Sequence, residues 1–193
     1  MNYLMKPYSI VLILLINFLV LSPASASSVV SLNLQQLSSR ATLIFYAEVI
    51  SNNVKKDEQS GLIATFTEFK IIDLIKGKTG STHIIKQIGG RLPGTGTTLR
   101  IHGVPKFETG NKYVVFLPEK SGIGFSSPLG LHQGSFSVLT INGEQLVSNG
   151  HNLAEQPAQN NSSIQIPLAV RTDKPTQTRL DDFINTVRAY NTP

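Results

Sequence analysis

Residues in the glycine-rich middle of the chain are the best candidates for binding chemistry. Residues 89–102 contain five glycines or prolines, two arginines and one histidine, and they contain no carboxylate. Arginine presents a planar fork of donors that suits carboxylate, phosphate or sulfate groups, and long loops in compact domains commonly carry function. The sequence therefore makes this loop the candidate anion-binding site, with a mobile surface loop that binds nothing as the alternative. The candidate residues are Arg91, Arg100 and His102, with Lys106 and His132 as neighbours if the fold brings their segments together.

Catalytic and metal-binding patterns are sparse. The four histidines are far apart and show no paired spacing typical of metal ligands. Glu108 and Glu119 are the only carboxylates between residues 82 and 141, which disfavours an enzyme with paired carboxylates. The sequence predicts no cofactor and no metal, and it favours a non-enzymatic binding module. A secreted hydrolase stays open as an alternative, because a triad converges in space and not along the chain.

The first 26 residues have the pattern of a signal peptide. Lys6 precedes an apolar run over residues 10–21, and Ala24-Ser25-Ala26 matches the small-x-small site of signal peptidase. The apolar run is shorter than the roughly 20 residues that a membrane-spanning helix needs. We therefore expect an exported protein, periplasmic or secreted, with no membrane span after cleavage.

The mature chain beyond residue 26 would contain no sulfur, because the chain has no cysteine and both methionines lie in the signal peptide. This excludes disulfides, thiol redox chemistry and thiolate metal sites. The formal net charge is +5, but the basic residues are scattered and no specific nucleic-acid motif occurs. A binder of anionic glycan or nucleic acid remains a further alternative, because basic proteins hold such polymers electrostatically.

Apolar runs bounded by glycine or proline predict a mainly β fold. Residues 62–75 carry apolar side chains on both faces, which favours a coiled strand in an antiparallel barrel of five to seven strands. Asn142-Gly143 is typical of a type I′ hairpin turn. The predicted strands are residues 41–51, 62–75, 83–88, 113–117, 135–141 and 144–148, with residues 52–61 as a loop.

Two helices are predicted to flank this barrel. A short N-terminal helix over residues 32–39 would be capped by Ser31. A C-terminal amphipathic helix would be capped by Thr178, with Asp181 and Asp182 near its positive end. Its apolar face consists of Leu180, Phe183, Ile184 and Val187. The expected organisation is a signal peptide (1–26), a β-barrel domain (27–150), a polar linker (151–177) and a helix packed on the barrel (178–190).

The chain carries a series of short motifs: residues 37–49, Leu-x-Lys-Gly at 74–77, Gln-x-Gly-Gly at 87–90, Gly-x-Pro-x-Phe at 103–107, Phe-Leu at 116–117, and a final Gly-x-x-x-Gly-x-Phe run. These motifs resemble those of a largely uncharacterised family of exported bacterial β-barrel domains. The resemblance covers about residues 34–138 and the terminal helix.

This resemblance implies an OB-like barrel, similar to that of the netrin and metalloproteinase-inhibitor class. Some relatives lie beside zinc metalloproteases, which implies an exported protein, such as a protease, as a partner. Those inhibitors reach the protease zinc with an N-terminal cysteine, which this chain does not have. Inhibition by that route is excluded, whereas inhibition through a loop stays open.

Overall fold

The computed structural model describes residues 31–150 and 176–192. The predicted signal peptide, and residues 151–175 of the predicted linker, lie outside these ranges. In chain order the elements are α1 (Leu34–Arg40), β1 (Leu43–Lys56), β2 (Ile63–Lys76), β3 (Thr82–Ile88), β4 (Gly90–Arg91), β5 (Thr98–Leu99), β6 (Lys112–Leu117), a 3-10 helix (Leu131–Gly134), β7 (Ser135–Ile141), β8 (Glu144–Ser148), β9 (Thr178–Arg179) and α2 (Leu180–Ala189).

Seven of the strands form one antiparallel sheet in the order β3-β2-β1-β6-β7-β8-β9, and β4 pairs with β5 in a small separate ribbon. The prediction of a mainly β fold with a helix at each end is confirmed. A closed barrel is not found, because no pairing within the described residues joins the end strands β3 and β9. None of the helices described is long and apolar enough to cross a membrane.

Strand β6 and the first half of β1, residues 43–49, are largely buried on both faces of the sheet. Ile44 and Tyr46 of β1 face a cluster that includes both helices, whereas Phe45 and Ala47 face a second cluster on the opposite side. This alternation follows from the two-residue period of a strand. It explains why the apolar runs in these strands are nearly continuous, as is typical of strands covered on both sides.

Aromatic rings hold together the face of the sheet opposite the helices. Phe69 lies 5.5 Å from Phe45 and 5.0 Å from Phe107 between ring centroids, and Phe107 lies 5.0 Å from Tyr113. The last two contacts are edge-to-face, the arrangement that the charge distribution of aromatic rings favours. Phe107 comes from the segment after β5, so this packing fixes that segment over the sheet.

The loop between β1 and β2 is shorter than predicted. Residues 52–56 were expected to be part of a loop, but they extend β1 and pair with Ile63 to Thr67 of β2. Most of their side chains are exposed, so their polar composition reflects a solvated ribbon and not a break in the strand. Three register shifts between β1 and β2 let these long strands bend.

The N-terminal helix begins later than predicted. It is capped by Asn33 and not by Ser31. The Asn33 side chain accepts a hydrogen bond from the Gln36 backbone N–H at 2.8 Å, and the Gln36 side chain accepts one from the Asn33 N–H at 3.1 Å. This capping box needs glutamine or glutamate three residues after the cap, a condition that Asn33 meets and Ser31 does not.

The C-terminal helix buries the predicted apolar face, since Leu180, Phe183, Ile184 and Val187 are all buried against the sheet. The predicted cap is wrong, because Thr178 belongs to β9 and Arg179 occupies the N-cap position without a side-chain cap hydrogen bond. Asp181 and Asp182 lie in the first turn, as predicted.

The turn between β7 and β8 matches the sequence prediction. Ile141 pairs with Glu144, and the two residues between them have positive φ, 52° for Asn142 and 84° for Gly143. A type I′ turn requires positive φ at both positions.

Replacing Gly143 with valine is expected to lower the free energy of unfolding by about 1 kcal/mol or more, because a β-branched residue is strained at positive φ. A Cβ atom at Gly143 meets no atom of the described residues within 4 Å, so backbone strain is the main cost expected. Urea denaturation measures the change, and an unchanged midpoint would contradict this turn conformation.

A buried ion pair fastens the β1–β2 loop to β3. Lys86 Nζ lies 2.8 Å from Asp57 Oδ1 and 4.5 Å from the centroid of the Phe125 ring. Asp57 Oδ2 also accepts hydrogen bonds from the Ser60 N–H and hydroxyl at 2.9 and 2.7 Å. The hydrogen bond from Lys86, followed by those from Ser60, lowers the pKa of Asp57 to about 2.

Asp57 is therefore expected to make the stability of the fold depend on pH in the acidic range. Its folded-state pKa of about 2 lies below the ordinary value of 3.8, so its contribution is present above pH 3.8 and is lost as the pH falls towards 2. An Asp57→Asn variant should be less stable than the parent at neutral pH, and the difference should shrink in this acidic window. Urea denaturation across that range, with Glu58→Gln as an exposed control, tests the claim, and a constant difference would contradict it.

Candidate ligand-binding cavity

A cavity of about 690 Å³ lies between the polar end of the β1–β3 sheet and the chain segment that follows β3. Sites for small molecules commonly have volumes of roughly 300–1,000 Å³. The lining comes from Asn52 of β1, two threonines of β2, the end of β3, and two stretches of the following chain, residues 89–91 and 98–108.

Strand pairing places a polar floor in this cavity. Thr65 pairs with Gln87, and Thr67 pairs with both Asn52 and Ile85, so their side chains share one face of the sheet. Farther along the same face lie the aromatic cluster and the fully buried Ile85. The face therefore changes from apolar to polar where it reaches the cavity.

Most of the floor is held by internal hydrogen bonds. The Thr67 hydroxyl donates to Asn52 Oδ1 at 2.7 Å, and Asn52 Nδ2 donates to the Phe107 carbonyl at 2.8 Å. The Thr65 hydroxyl donates to the Gly89 carbonyl at 2.6 Å. These bonds fix the floor to both ends of the segment that covers it, so the cavity is pre-formed.

Gln87 differs from its neighbours on the floor. Its side chain is 3% exposed and lines the cavity, yet its Nε2 atom has no hydrogen-bond partner among the described residues. A buried amide without a partner is uncommon and destabilises the folded state. Its two N–H groups are donors for which residues 31–150 and 176–192 supply no acceptor.

Gly89 and Gly90 let the chain turn tightly at the edge of the cavity. Their φ angles are 106° and 134°, which side chains rarely tolerate. A Cβ atom on Gly90 would lie 2.6 Å from Val54 Cγ1 and 2.7 Å from Thr65 Oγ1. The sequence left open whether this loop is ordered, and the structure has a short ribbon in which Gly90 pairs with Leu99.

The structure brings four of the five predicted site residues to this cavity. Arg91, Arg100, His102 and Lys106 all line it and all are exposed, and the two arginines and the lysine form a cationic rim. His132 lies in the 3-10 helix, outside the lining. Within the described residues, Glu108 is the only carboxylate of the lining, so positive charge dominates the rim.

Apolar residues complete the lining. Phe107 is buried, Leu99, Val104 and Pro105 are partly buried, and Ile101 is exposed. A ligand that fills this space would meet apolar surface, neutral donors on the floor and cations at the rim. This combination suits an organic anion better than an inorganic ion.

The floor residues Asn52, Thr65, Thr67 and Gln87 were not among the sequence candidates. One signal for Gln87 was available, because the strand alternation places it on the same face as His83 and Ile85. The threonines and Asn52 became recognisable only through the register of β1, β2 and β3.

The third histidine among the described residues, His83, lies outside the cavity lining. Burial lowers the pKa of His83, and the nearby charge of Lys120 lowers it further. Its Nδ1 forms a hydrogen bond of 2.9 Å with the Thr79 hydroxyl, and its ring lies 5.6 Å from that of Phe45. This is the environment of a neutral packing residue. Within residues 31–150 and 176–192, no three His, Asp or Glu side chains cluster in a way that could hold a metal ion.

Comparisons with known proteins give no family for this chain: no protein-family model matches it, and no curated protein matches it either.

Proposed function

We propose that this protein is a non-enzymatic binding module that holds an anionic ligand in the cavity between the β1–β3 sheet and residues 89–108. The observation that carries the proposal is the joint placement of Arg91, Arg100, His102 and Lys106 around one pre-formed cavity. These residues come from one segment, residues 91–106, which covers a floor built from β1, β2 and β3, so the fold brings charge and shape together. Electrostatic attraction at an exposed rim accelerates capture of an anion.

Binding is a better account of this lining than hydrolysis. General acid and base catalysis needs groups whose protonation changes within reach of a substrate. The described lining offers one carboxylate, Glu108, and the exposed His102, and no hydrogen bond between them is seen. The lining also supplies neither serine nor cysteine as a nucleophile.

The OB-like fold and the family resemblance also belong to this proposal. OB-like barrels bind ligands on a sheet face and its flanking loops, and this cavity lies on a sheet face beside the β4–β5 ribbon. Strands β1 and β2 are long and irregular in register, a feature of strands that curve around a barrel. We place the protein outside the cytoplasm on the signal-peptide pattern, where its ligand would be a small organic acid or an acidic segment of an exported protein.

Equilibrium binding of defined anions to the mature protein tests the proposal. The probes are N-acetylleucine as a small acid, a short heparin fragment as an anionic glycan and single-stranded DNA, each titrated at low and high salt. Saturable binding of the small acid that weakens with salt supports the cavity as an anion site. Tight binding of heparin or DNA alone would favour the polyanion alternative. Absence of binding for all three would contradict the proposal.

A further inference from the structure

The unpaired amide of Gln87 lies at the floor of the cavity, below the charged rim. Gln87 is buried at the floor of the cavity, whereas Arg91, Arg100 and Lys106 are exposed. The neighbouring floor groups already use their donors, since Thr65 donates to Gly89 and Thr67 to Asn52. Gln87 Nε2 is thus the floor donor without an acceptor among the described residues, and because it is fully buried, the side chain must rotate before Nε2 can meet a ligand.

Other buried polar atoms without a partner do not share this setting. Within the described residues they are Ser38 Oγ, His83 Nε2 and Ser126 Oγ, and none of these residues lines the cavity. Gln87 alone combines an unmade hydrogen bond with a space large enough for a ligand. This combination distinguishes a binding group from a packing defect.

The buried floor of the cavity and its exposed rim suit different chemical groups. A neutral amide donor in a buried position suits a neutral carbonyl oxygen, because an ionised carboxylate there would lose its hydration without an opposite charge. The exposed arginines suit the carboxylate, which keeps part of its hydration at the rim. Leu99, Val104 and Phe107 offer apolar contact to the remainder of the ligand.

We infer that Gln87 is a specificity-determining residue, and that the cavity takes an acid whose carboxylate is accompanied by a neutral amide carbonyl and an apolar group. The carbonyl accepts a hydrogen bond from Gln87 Nε2 once this buried side chain rotates towards the cavity, and the carboxylate lies at Arg91 and Arg100. Two ligands share this chemistry, a free N-acylated amino acid and the C-terminal residue of a peptide. This inference rests on the proposed anion-binding function and names the ligand class for the same site.

Matched probes separate the contribution of Gln87 to affinity from that of the arginines at the rim. N-acetylleucine carries both groups, isocaproate keeps the carboxylate and the apolar group without the amide, and N-acetylleucinamide keeps the amide without the charge. We expect the first to bind most tightly. A short acetylated peptide ending in leucine distinguishes the sources, because tighter binding of the peptide assigns the site to chain ends and tighter binding of N-acetylleucine assigns it to the free acid.

The decisive variant is Gln87→Met, which keeps the length of the side chain and removes its polar atoms. We expect affinity for N-acetylleucine to fall about tenfold, while affinity for isocaproate is unchanged. The variant should also be more stable to heat than the parent, because it removes an unpaired buried amide. A residue with a purely structural role would not show lost affinity together with gained stability.

The outcomes separate this inference from the function on which it rests. Equal affinity of parent and Gln87→Met for N-acetylleucine, with binding still dependent on Arg91 and Arg100, would overturn the role of Gln87 alone. Loss of stability in Gln87→Met and in a second variant, Gln87→Leu, would assign the residue a structural role and also overturn the inference. If affinity for N-acetylleucine is unchanged both in Gln87→Met and in the variant that lacks the two arginines, the site as a whole is contradicted.

Discussion

The double variant Arg91→Ala, Arg100→Ala is expected to stay folded and to bind N-acetylleucine at least about tenfold more weakly than the parent at low salt. Both side chains are exposed at the rim of the cavity, so their removal should leave the core and the sheet intact. Charge-assisted hydrogen bonds from arginine to a carboxylate are stronger than neutral ones. The difference between variant and parent should diminish as salt rises, because salt screens exposed charges.

A matched control removes two positive charges from elsewhere on the surface. Lys70 and Lys78 are exposed and lie outside the cavity lining. The Lys70→Ala, Lys78→Ala variant has the same net charge as the arginine variant and should bind like the parent. Equal losses in both double variants would show that net charge, and not this site, governs binding.

Replacing Gly90 with alanine is expected to lower the free energy of unfolding by about 3 kcal/mol, the sum of backbone strain and overpacking. The φ angle of 134° is strained for any side chain, and the new Cβ would overlap Val54 and Thr65 in the floor. Because Thr65 also bonds to Gly89, the displacement should disturb the cavity as well as the fold.

Gly94→Ala is the control for this prediction. Gly94 also has positive φ, 74°, but nothing lies within 4 Å of its Cβ position. Its replacement should cost only the strain term, about 1 kcal/mol. Urea denaturation compares the two variants, and similar midpoints for Gly90→Ala and Gly94→Ala would contradict close packing at the cavity edge.

The six longer strands were predictable because glycine or proline bounds most of the apolar runs, and because the two faces of a strand alternate, whereas the two-residue strands β4, β5 and β9 were not predicted. The hairpin at Asn142-Gly143 followed from local conformational preference alone. Residues 52–56 of β1 were not predicted as strand, since their ladder depends on partners in β2 and not on their own apolar content. Closure of the sheet also depends on long-range pairing, and the expected barrel is not found.

The helix caps show where local reasoning was incomplete. Ser31 and Asn33 are both good capping residues, but only Asn33 has a glutamine three positions later. Thr178 is also a good capping residue, but it pairs with Val147 as part of β9 and therefore does not cap the helix. The buried face of α2 was predicted correctly, because the spacing of its apolar residues is itself the cause of burial.

The candidate site was predictable at its rim and not at its floor. Arginines in a glycine-rich stretch without carboxylates are visible in the sequence, and four of the five candidates converge on the cavity. That His132 lies outside the lining, although its neighbour Leu131 packs against Gly103, could not be known without the path of the chain. The polar floor arises from the register that pairs Thr65 with Gln87 and Asn52 with Thr67, which no single stretch of sequence encodes.

The most direct measurement is a map of the amide NMR shifts of isotope-labelled mature protein during titration with N-acetylleucine. If N-acetylleucine binds in the cavity, we expect saturable shifts concentrated at the lining, in Thr65, Thr67, Gln87 and residues 89–91 and 98–108. Amides of the helix-covered face, such as those of α2, should be unchanged. Shifts confined to surfaces away from the lining, or no saturable shift anywhere, would contradict the claim that this cavity is the ligand site.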